Sequence, residues 1–158
     1  MRKMTTSLFT ALLALVSVGS ALAHHSLANY DTTKPVRVRG TILQFHRINP
    51  HTFLYLEEKL ADGQIRRWAV EGPTMNLLAR TGFAVDELQP GVGVEVCGYA
   101  PKENTIWQVV NPTGTAASIS GRLLNGESLT MPDGKVHSWG DYGTHLCFPP
   151  DFRDQHSR

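Results

Sequence analysis

The chain has 158 residues, of which 41% are hydrophobic, 18% are charged and 8% are aromatic. This composition is that of an ordinary globular protein, and it excludes a disordered, collagen-like or coiled-coil chain. The formal net charge of only +1 argues against strong electrostatic capture of nucleic acid or of an anionic membrane. The length suits a single domain.

Residues 1–23 have three features of a secretory signal peptide. Arg2-Lys3 gives a basic start, and the apolar stretch 8–18 is too short to span a bilayer as a helix. Ala21-Leu22-Ala23 puts small residues at the two positions that a signal peptidase reads. A membrane-anchor helix is the alternative, but no stop-transfer pattern follows. We therefore expect residues 1–23 to be removed from a periplasmic or secreted protein.

The first strand pattern follows an irregular lead-in, residues 29–35. Across residues 36–42, Val and Ile alternate with Arg and Thr, and this period of two is typical of a half-buried strand. Gly40 inside the pattern indicates a bulge or a sharp bend. Asn49-Pro50 then interrupts the pattern, because proline cannot donate to a strand ladder.

A hairpin pattern comes next. Residues 52–57 and 64–71 are rich in aromatic and aliphatic side chains and are predicted to form two strands. Asp62-Gly63 between them is a strong tight-turn signal, which makes the two strands antiparallel neighbours. Gly72-Pro73 marks the end of the second strand.

Residues 74–81 are the best helix candidate of the chain. Thr74 can cap the N-terminus of this helix, and Gly82 can adopt the left-handed conformation at its C-terminal end. Residues 85–88 add one helical turn, and Pro90-Gly91 indicates a further turn.

Three more strand patterns follow in the second half of the chain. Residues 93–100 form the clearest of these, whereas 106–110 and 116–124 are weaker, and one of the weaker two should close the sheet. Asn125-Gly126 and Asp133-Gly134 are both predicted to be hairpin turns.

The order of these elements is three strands, a helix and one or two further strands, which is the order of the five-stranded Greek-key barrel called the OB-fold. A small β-sandwich is the alternative, but a lone helix between strands three and four is unusual there. We therefore predict a mainly β, OB-like barrel over residues 24–124 with one short helix between strands 3 and 4. Residues 125–158 are expected to form a C-terminal hairpin and a tail.

Several motifs carry a family resemblance through their order and spacing. They are His24-His25-Ser26, Lys34-Pro35-Val36, Gly40, Asn49-Pro50-His51, Trp68-Ala69-Val70-Glu71, Leu77 with Arg80-x-Gly82, Leu88-x-Pro90-Gly91 and Gly98-Tyr99. Across residues 24–101 the chain resembles the exported bacterial proteins of the domain-of-unknown-function 6152 family. The resemblance implies a secreted β-rich domain and brings no established activity.

The histidines next to the expected cleavage point predict a metal site. His24 would become the N-terminal residue, whose amine and ring nitrogen suit Cu(II), with His51 after Asn49-Pro50 as the leading third ligand and His46 or His25 as substitutes. The alternative is a solvated terminus without a metal. Zinc is disfavoured because no pair with the spacing His-x-x-x-His and no closely spaced Cys pair is present, and haem because no Cys-x-x-Cys-His occurs.

Two cysteines, Cys97 and Cys147, predict a disulfide bond, since an even count in an exported chain favours pairing. Cys97 falls on the strand face opposite Val94 and Val96, where the C-terminal tail could reach it. The alternatives are two thiols that are not paired, or a soft-metal site formed by Cys147 with His145.

An aromatic and acidic surface near the barrel mouth is the second candidate site. OB-folds often bind ligands on the face of strands two and three, although strand aromatics are more often core residues or cross-strand pairs. The residues proposed to bind a ligand are Phe53, Tyr55, Trp68, Glu71 and Tyr99.

These observations leave three functional hypotheses. The first is a non-enzymatic periplasmic binding module, expected to be a monomer, whose ligand is a peptide, a partner protein or a small molecule. The second is a periplasmic copper-binding protein that uses the mature N-terminal histidine, and the third is a redox enzyme built on that copper. Hydrolase motifs such as Gly-x-Ser-x-Gly and His-Glu-x-x-His are missing from the sequence, and nucleic-acid binding is disfavoured by the near-neutral charge.

Overall fold

A computed structural model of the chain describes residues 29–81, 83–102, 106–109, 119–140, 146–150 and 152. The predicted signal peptide, His24 and His25 lie outside these residues. The strands are β1 Tyr30–His46, β2 Phe53–Lys59, β3 Ile65–Glu71, β4 Gly93–Pro101, β5 Ile106–Val109, β6 Ile119–Thr130 and β7 Val136–Ser138. The α-helix α1, Met75–Arg80, and a 3-10 turn, Val85–Glu87, lie between β3 and β4. Within the described part of the chain, no helix is both long and apolar enough to cross a membrane.

β1 has 17 residues and begins earlier than the sequence pattern predicts. Residues 30–35, expected to form an irregular lead-in, are extended because Tyr30 pairs with Pro101 of β4 and Pro35 pairs with Tyr99. The prediction of an irregular segment was therefore wrong from Tyr30 onward. Pairing with β4, rather than alternation of polar and apolar residues, determines this part of the strand.

The predicted bend near Gly40 coincides with a change of partner along β1. Residues up to Thr41 pair with β4, and residues from Thr41 onward pair with β2. A Cβ atom at Gly40 would lie 2.9 Å from the backbone oxygen of Glu57, so the glycine allows β1 and β2 to approach closely. The register shift lies further on, between Ile42 and Gln44.

The β2–β3 hairpin and the helix after it agree with the sequence predictions. The turn at Asp62-Gly63 is confirmed, with Gly63 at a φ of 82°, a left-handed value that glycine adopts without a steric penalty. Helix α1 begins after Thr74, whose Oγ1 accepts a hydrogen bond of 3.1 Å from the backbone N–H of Leu77. Leu78 is the buried residue of the helix. The predicted C-terminal glycine, Gly82, lies outside the described residues.

The barrel closes through β6. This strand is antiparallel to β4 and parallel to β3, so the strands follow the order β1-β2-β3-β6-β4 and return to β1. The result is a closed five-stranded mixed barrel with a short helix between its third and fourth strands, which confirms the predicted mainly β, OB-like class. Of the two weak strand patterns, the second closes the sheet. β5 and β7 also pair with β6.

β6 overrides one turn signal. Asn125-Gly126, predicted to be a hairpin turn, lies inside the strand, which continues through position 124 to Thr130. Asn125 is paired on both sides, with Glu71 of β3 and with Tyr99 of β4. Pairing on both edges outweighs the local turn propensity, so this turn prediction was wrong.

The barrel interior holds the main hydrophobic core. Burial stabilises the fold by roughly 1.5–3 kcal/mol for each large aliphatic side chain. Trp139, within the predicted C-terminal hairpin and tail, is also fully buried in this core, so this part of the chain packs inside the domain. The buried members of the core are Val38, Ile42, Leu54, Leu56, Trp68, Val70, Leu78, Phe83, Leu88, Val94, Val96, Leu124, Leu129, Met131 and Trp139.

The predicted disulfide bond between Cys97 and Cys147 is confirmed, with an S–S distance of 2.03 Å. Both cysteines are buried. The hydroxyl of Ser128 in β6 donates a hydrogen bond of 3.0 Å to the backbone oxygen of Cys147. The segment around Cys147 is therefore attached to the barrel by one covalent bond and one hydrogen bond.

Candidate functional site

The loop between β1 and β2, residues 47–52, is attached to the chain that follows β3. The backbone N–H of Thr52 donates to the oxygen of Pro73 at 3.1 Å, and the N–H of Gly72 donates to the oxygen of Thr52 at 2.8 Å. The Thr52 hydroxyl also donates to the Pro73 oxygen at 3.0 Å. These three hydrogen bonds position His51, the residue before Thr52, at the end of β3.

A pocket of about 200 Å³ lies between this loop and the sheet. It is partly enclosed, and its walls come from the loop, from the first residue of β2, from the last residue of β3 and from β6. The lining residues are Ile48, Asn49, Pro50, His51, Phe53, Glu71 and Leu123.

Glu71 is a buried carboxylate at the wall of this pocket, with 4% of its surface exposed. The Tyr30 hydroxyl donates a hydrogen bond of 2.9 Å to its Oε2. The Nδ1 atom of His51 lies 3.2 Å from its Oε1, a contact that becomes an ion pair when the imidazole is protonated. A buried carboxylate is unfavourable unless it has such partners. Glu71 therefore joins the start of β1, the β1–β2 loop and the end of β3.

A small hydrophobic cluster, separate from the barrel interior, packs beside Glu71. Its buried members are Tyr30, Tyr99 and Leu123, and Phe53 packs against them. The residue after Phe53 in β2 belongs to the interior core, and neighbouring strand residues point to opposite faces. The cluster therefore lies on the outer face of the barrel sheet, and it supplies the apolar side of the pocket.

The structure brings together some, but not all, of the residues predicted to bind a ligand. Phe53, Glu71 and Tyr99 lie at the pocket or in the cluster beside it. Tyr55 is fully buried, and its ring stacks with that of Phe53 at a centroid distance of 6.4 Å. Trp68 belongs to the barrel interior, where its Nε1 donates a hydrogen bond of 2.7 Å to a glutamate of β2. Ligand binding by these residues stays a prediction.

His46, a substitute metal ligand in the sequence prediction, is buried against Tyr55. The two rings meet edge to face with their centroids 4.9 Å apart. Within the described chain, neither ring nitrogen of His46 nor the Tyr55 hydroxyl has a hydrogen-bond partner. Burial lowers the pKa of His46 and raises the pKa of Tyr55 to about 12, because the interior disfavours the charged form of each group. Both side chains are therefore held in their neutral forms at pH 7.

The predicted copper ligands lie partly outside the described residues. His51 is at the pocket, whereas His24 and His25 are not among the residues that the structure describes. Among those residues, no three His, Cys, Asp or Glu side chains are grouped so that they could hold a metal ion. A metal site at His51 would therefore need ligands from outside the described residues.

Sequence reasoning missed three residues that form or support the site, Tyr30, Ile48 and Leu123. Tyr30 lies in a segment whose sequence does not alternate like a strand. The one signal that could have identified it is that no other Phe, Trp or Tyr stands between His25 and Pro35. Leu123 lies in a strand whose pattern is weak, and its place beside Glu71 follows from the parallel pairing of β3 with β6. That pairing joins segments far apart in sequence, so no local signal could reveal it.

The opposite end of the barrel carries a second, open depression of about 650 Å³ that includes Arg39, Glu57 and Glu95 among its lining residues. Arg37 and Arg39 lie 3.2 and 2.5 Å from the Glu95 carboxylate. Hydrogen bonds from Arg39 and Arg37 hold the pKa of Glu95 below its usual range. Opposite charges thus interleave on a solvated surface at this end.

The fold and the pocket together define a small closed β-barrel with a partly enclosed cavity on its outer face and one buried carboxylate in the cavity wall. The model of a family of unknown function (DUF6152) matches residues 12–108. The match covers more than half of the chain, so the chain belongs to this family, and the resemblance carried by the sequence motifs is confirmed. No curated protein matches the chain.

Proposed function

We propose that this protein is a non-enzymatic binding module of the periplasm or the secreted fraction, exported by the signal peptide at residues 1–23. Its ligand is a small molecule held in the pocket beside Glu71. The observation that supports this function is the buried Glu71 carboxylate, which Tyr30 and His51 hold at the pocket wall. Of the ligand classes left open by the sequence, a small molecule suits a volume of about 200 Å³ best.

The lining of the pocket favours a ligand with an apolar body and one cationic or hydrogen-bond-donating group. Ile48, Phe53 and Leu123 offer apolar contact, while the carboxylate of Glu71 accepts hydrogen bonds or attracts a positive charge. The ring face of Phe53 is also able to attract a cation. An anionic ligand would meet the charge of Glu71 and should be excluded.

Three probes of one size test this proposal: benzylamine, benzyl alcohol and benzoate. Each is titrated into isotope-labelled protein while backbone amide shifts are recorded by NMR. Benzylamine should shift the amides of residues 48–53 and 71, benzyl alcohol should do so more weakly, and benzoate should not bind. Glu71→Gln should remove the preference for the amine, whereas Glu95→Gln at the opposite end should keep it. Equal responses to all three probes, or shifts confined to other residues, contradict the proposal.

Copper binding by the mature N-terminal histidine is a second candidate function. The observation that favours it is the hydrogen bond between Tyr30 and Glu71. That bond attaches the start of β1 to the same carboxylate that lies beside His51. His24 precedes Tyr30 by six residues, a stretch that spans at most about 20 Å. Cleavage after residue 23 would make His24 the N-terminal residue, and its amine and imidazole nitrogens are donors that suit Cu(II).

The copper candidate is tested on protein isolated from periplasm. Native mass spectrometry should show a chain that starts at His24 and keeps one Cu(II) in the presence of a mild competitor. One alanine inserted before His24 should weaken Cu(II) binding strongly, since it displaces the terminal amine. His51→Gln should also weaken it, and His137→Gln, a half-buried histidine of β7, serves as the control. Equal Cu(II) affinity in all four proteins removes this candidate.

A further inference from the structure

Asn125 of β6 lies next to two residues that line the pocket, Glu71 and Leu123. It pairs in register with Glu71 of β3, and it follows Leu123 by two positions in the same strand. Leu124, the residue between Leu123 and Asn125, belongs to the interior core. Because successive side chains of a strand point to opposite faces, the side chain of Asn125 lies on the outer face of the barrel, together with those of Glu71 and Leu123.

Asn125 carries a buried hydrogen-bond acceptor that the protein does not use. Only 4% of the residue is exposed, and within the described chain its Oδ1 has no hydrogen-bond partner. A buried oxygen in this state is unfavourable, and native proteins seldom leave one without a partner. Its place beside the pocket indicates that the missing donor is supplied by the ligand.

Glu71 also keeps acceptor positions for a ligand. The hydroxyl of Tyr30 occupies one position at Oε2, and Nδ1 of His51 lies beside Oε1. A carboxylate offers about four lone-pair positions, so about two of them remain. The sheet therefore presents a negatively charged acceptor and a neutral acceptor on neighbouring strands.

We infer that the ligand carries an ammonium group with at least two N–H bonds, and that Asn125 is the residue that selects it. This inference rests on the small-molecule function proposed above and narrows its ligand class. Residues in register on neighbouring strands lie about 4.8 Å apart. Two N–H bonds of a tetrahedral ammonium, each with its nitrogen about 2.8 Å from the acceptor, reach oxygens about 4.5 Å apart. One N–H bond meets the carboxylate of Glu71, and the other meets Oδ1 of Asn125.

The two residues thus have separate effects on selectivity. Glu71 selects for positive charge, which primary, secondary and tertiary ammonium groups share. Asn125 selects for the second N–H bond, which a tertiary ammonium lacks. A tertiary amine bound at Glu71 would leave Oδ1 of Asn125 buried and without a donor, and it should bind more weakly for that reason.

Four amines test this selection on the full mature protein by NMR titration. Benzylamine, N-methylbenzylamine and N,N-dimethylbenzylamine carry three, two and one N–H bonds when protonated. The fourth, 2-phenylpropan-2-amine, is an isomer of N,N-dimethylbenzylamine that keeps three N–H bonds, so it controls for size. The affinity is measured from the backbone amides of residues 48–53 and 71, and the side-chain amide signals of Asn125 report contact at Oδ1.

Benzylamine, N-methylbenzylamine and 2-phenylpropan-2-amine should bind with similar affinity and shift the side-chain amide signals of Asn125. N,N-dimethylbenzylamine should bind about tenfold to 100-fold more weakly, because it loses one charge-assisted hydrogen bond. Equal affinity of N,N-dimethylbenzylamine and its primary isomer would overturn the role of Asn125. Unchanged side-chain signals of Asn125 on benzylamine binding would also overturn it.

Asn125→Leu removes the acceptor with a side chain of similar size. It should lower the affinity for benzylamine to that for N,N-dimethylbenzylamine, while the preference of either amine over benzoate remains. Gln64→Leu is the control, because it replaces an exposed amide at the other end of the β2–β3 hairpin, and it should keep the full selectivity. An Asn125→Leu protein that still prefers the primary isomer contradicts the inference.

The same titrations distinguish this inference from the proposed function on which it rests. If amines bind better than benzoate but the number of N–H bonds has no effect, the selection by Asn125 is wrong and the small-molecule function stands. If benzylamine and benzoate bind alike, the proposed function itself is wrong. Should Asn125→Leu fail to fold, the four amines and the Asn125 signals of the unaltered protein decide the question.

Discussion

The two ends of the barrel each carry a glutamate with two partners, but the surroundings of these glutamates differ. Glu95 meets two arginines, and one of them, Arg39, is 86% exposed at its side chain, so water and salt screen the contacts. Glu71 meets Tyr30 and His51 and is nearly fully buried. The end with Glu95 has the larger depression, yet the smaller pocket has the more specific chemistry. Burial of the polar group, rather than cavity volume, therefore marks the candidate site.

Loss of the disulfide bond should lower the free energy of unfolding more than any other change, and it should destabilise both ends of the barrel together. Cys97 lies in β4 between Glu95 and Tyr99, and its bond to Cys147 closes a loop of 50 residues. In the chain-entropy model, removal of such a crosslink lowers the free energy of unfolding by about 4 kcal/mol. Replacement of both cysteines by serine, followed by urea unfolding, measures this loss. An unchanged free energy of unfolding, with faster amide hydrogen exchange at one end of the barrel only, contradicts the prediction.

Removal of each glutamate tests the comparison directly. Glu71→Ala should lower the free energy of unfolding by about 2–3 kcal/mol, because it leaves the buried Tyr30 hydroxyl without this acceptor. Glu95→Ala should lower it by about 0–1 kcal/mol, and this small loss should shrink further at high salt. Urea unfolding at low and high salt measures both values. Equal losses for the two variants would mean that burial does not distinguish the ends.

Acid pH should lower the free energy of unfolding through buried histidines, and this is the smallest of the expected effects. Burial lowers the pKa of His46, so below about pH 6.5 the unfolded chain binds a proton that folded His46 resists. The free energy of unfolding should therefore fall as the pH falls through this window, by at most about 1.4 kcal/mol per pH unit for one site. His46→Phe should flatten this dependence, measured by urea unfolding from pH 7.5 to 5.

His137 at β7 is a second histidine that should contribute to the acid effect. Burial, followed by Lys135, lowers the pKa of His137, while the nearby carboxylates of Asp133 and Glu87 act in the opposite direction. His137→Phe should therefore also flatten the pH dependence of the free energy of unfolding. The same slope in the unaltered protein and in His46→Phe would show that burial of His46 does not shift its proton binding.

Local patterns in the sequence predicted those parts of the fold that depend on neighbouring residues. The hairpin at Asp62-Gly63 and the helix capped by Thr74 are set by turn and capping chemistry within a few residues. The extended start of β1 at Tyr30 and the strand conformation of Asn125-Gly126 were not predicted, because each depends on pairing with β4 or β3. Such pairing joins segments that are distant in sequence.

The candidate site was predictable residue by residue but not as an arrangement. Glu71 and Phe53 were selected from the sequence as parts of an aromatic and acidic strand surface, and His51 was selected as a metal ligand. Their assembly with Tyr30 and Leu123 requires the parallel pairing of β3 with β6 and the extended start of β1. The side chain of Trp68 points to the opposite face of its strand and packs in the barrel interior.

The pairing of β6 also determines when the barrel can close as the chain is synthesised. β6 joins β3, β4, β5 and β7, and it is the strand whose parallel contact with β3 closes the barrel. A nascent chain that ends before Ile119 contains β1 to β5 but leaves the outer edge of β3 without its β6 partner. Such an edge invites pairing with another chain. Barrel closure and protection of this edge therefore occur together, once β6, Ile119–Thr130, has been made.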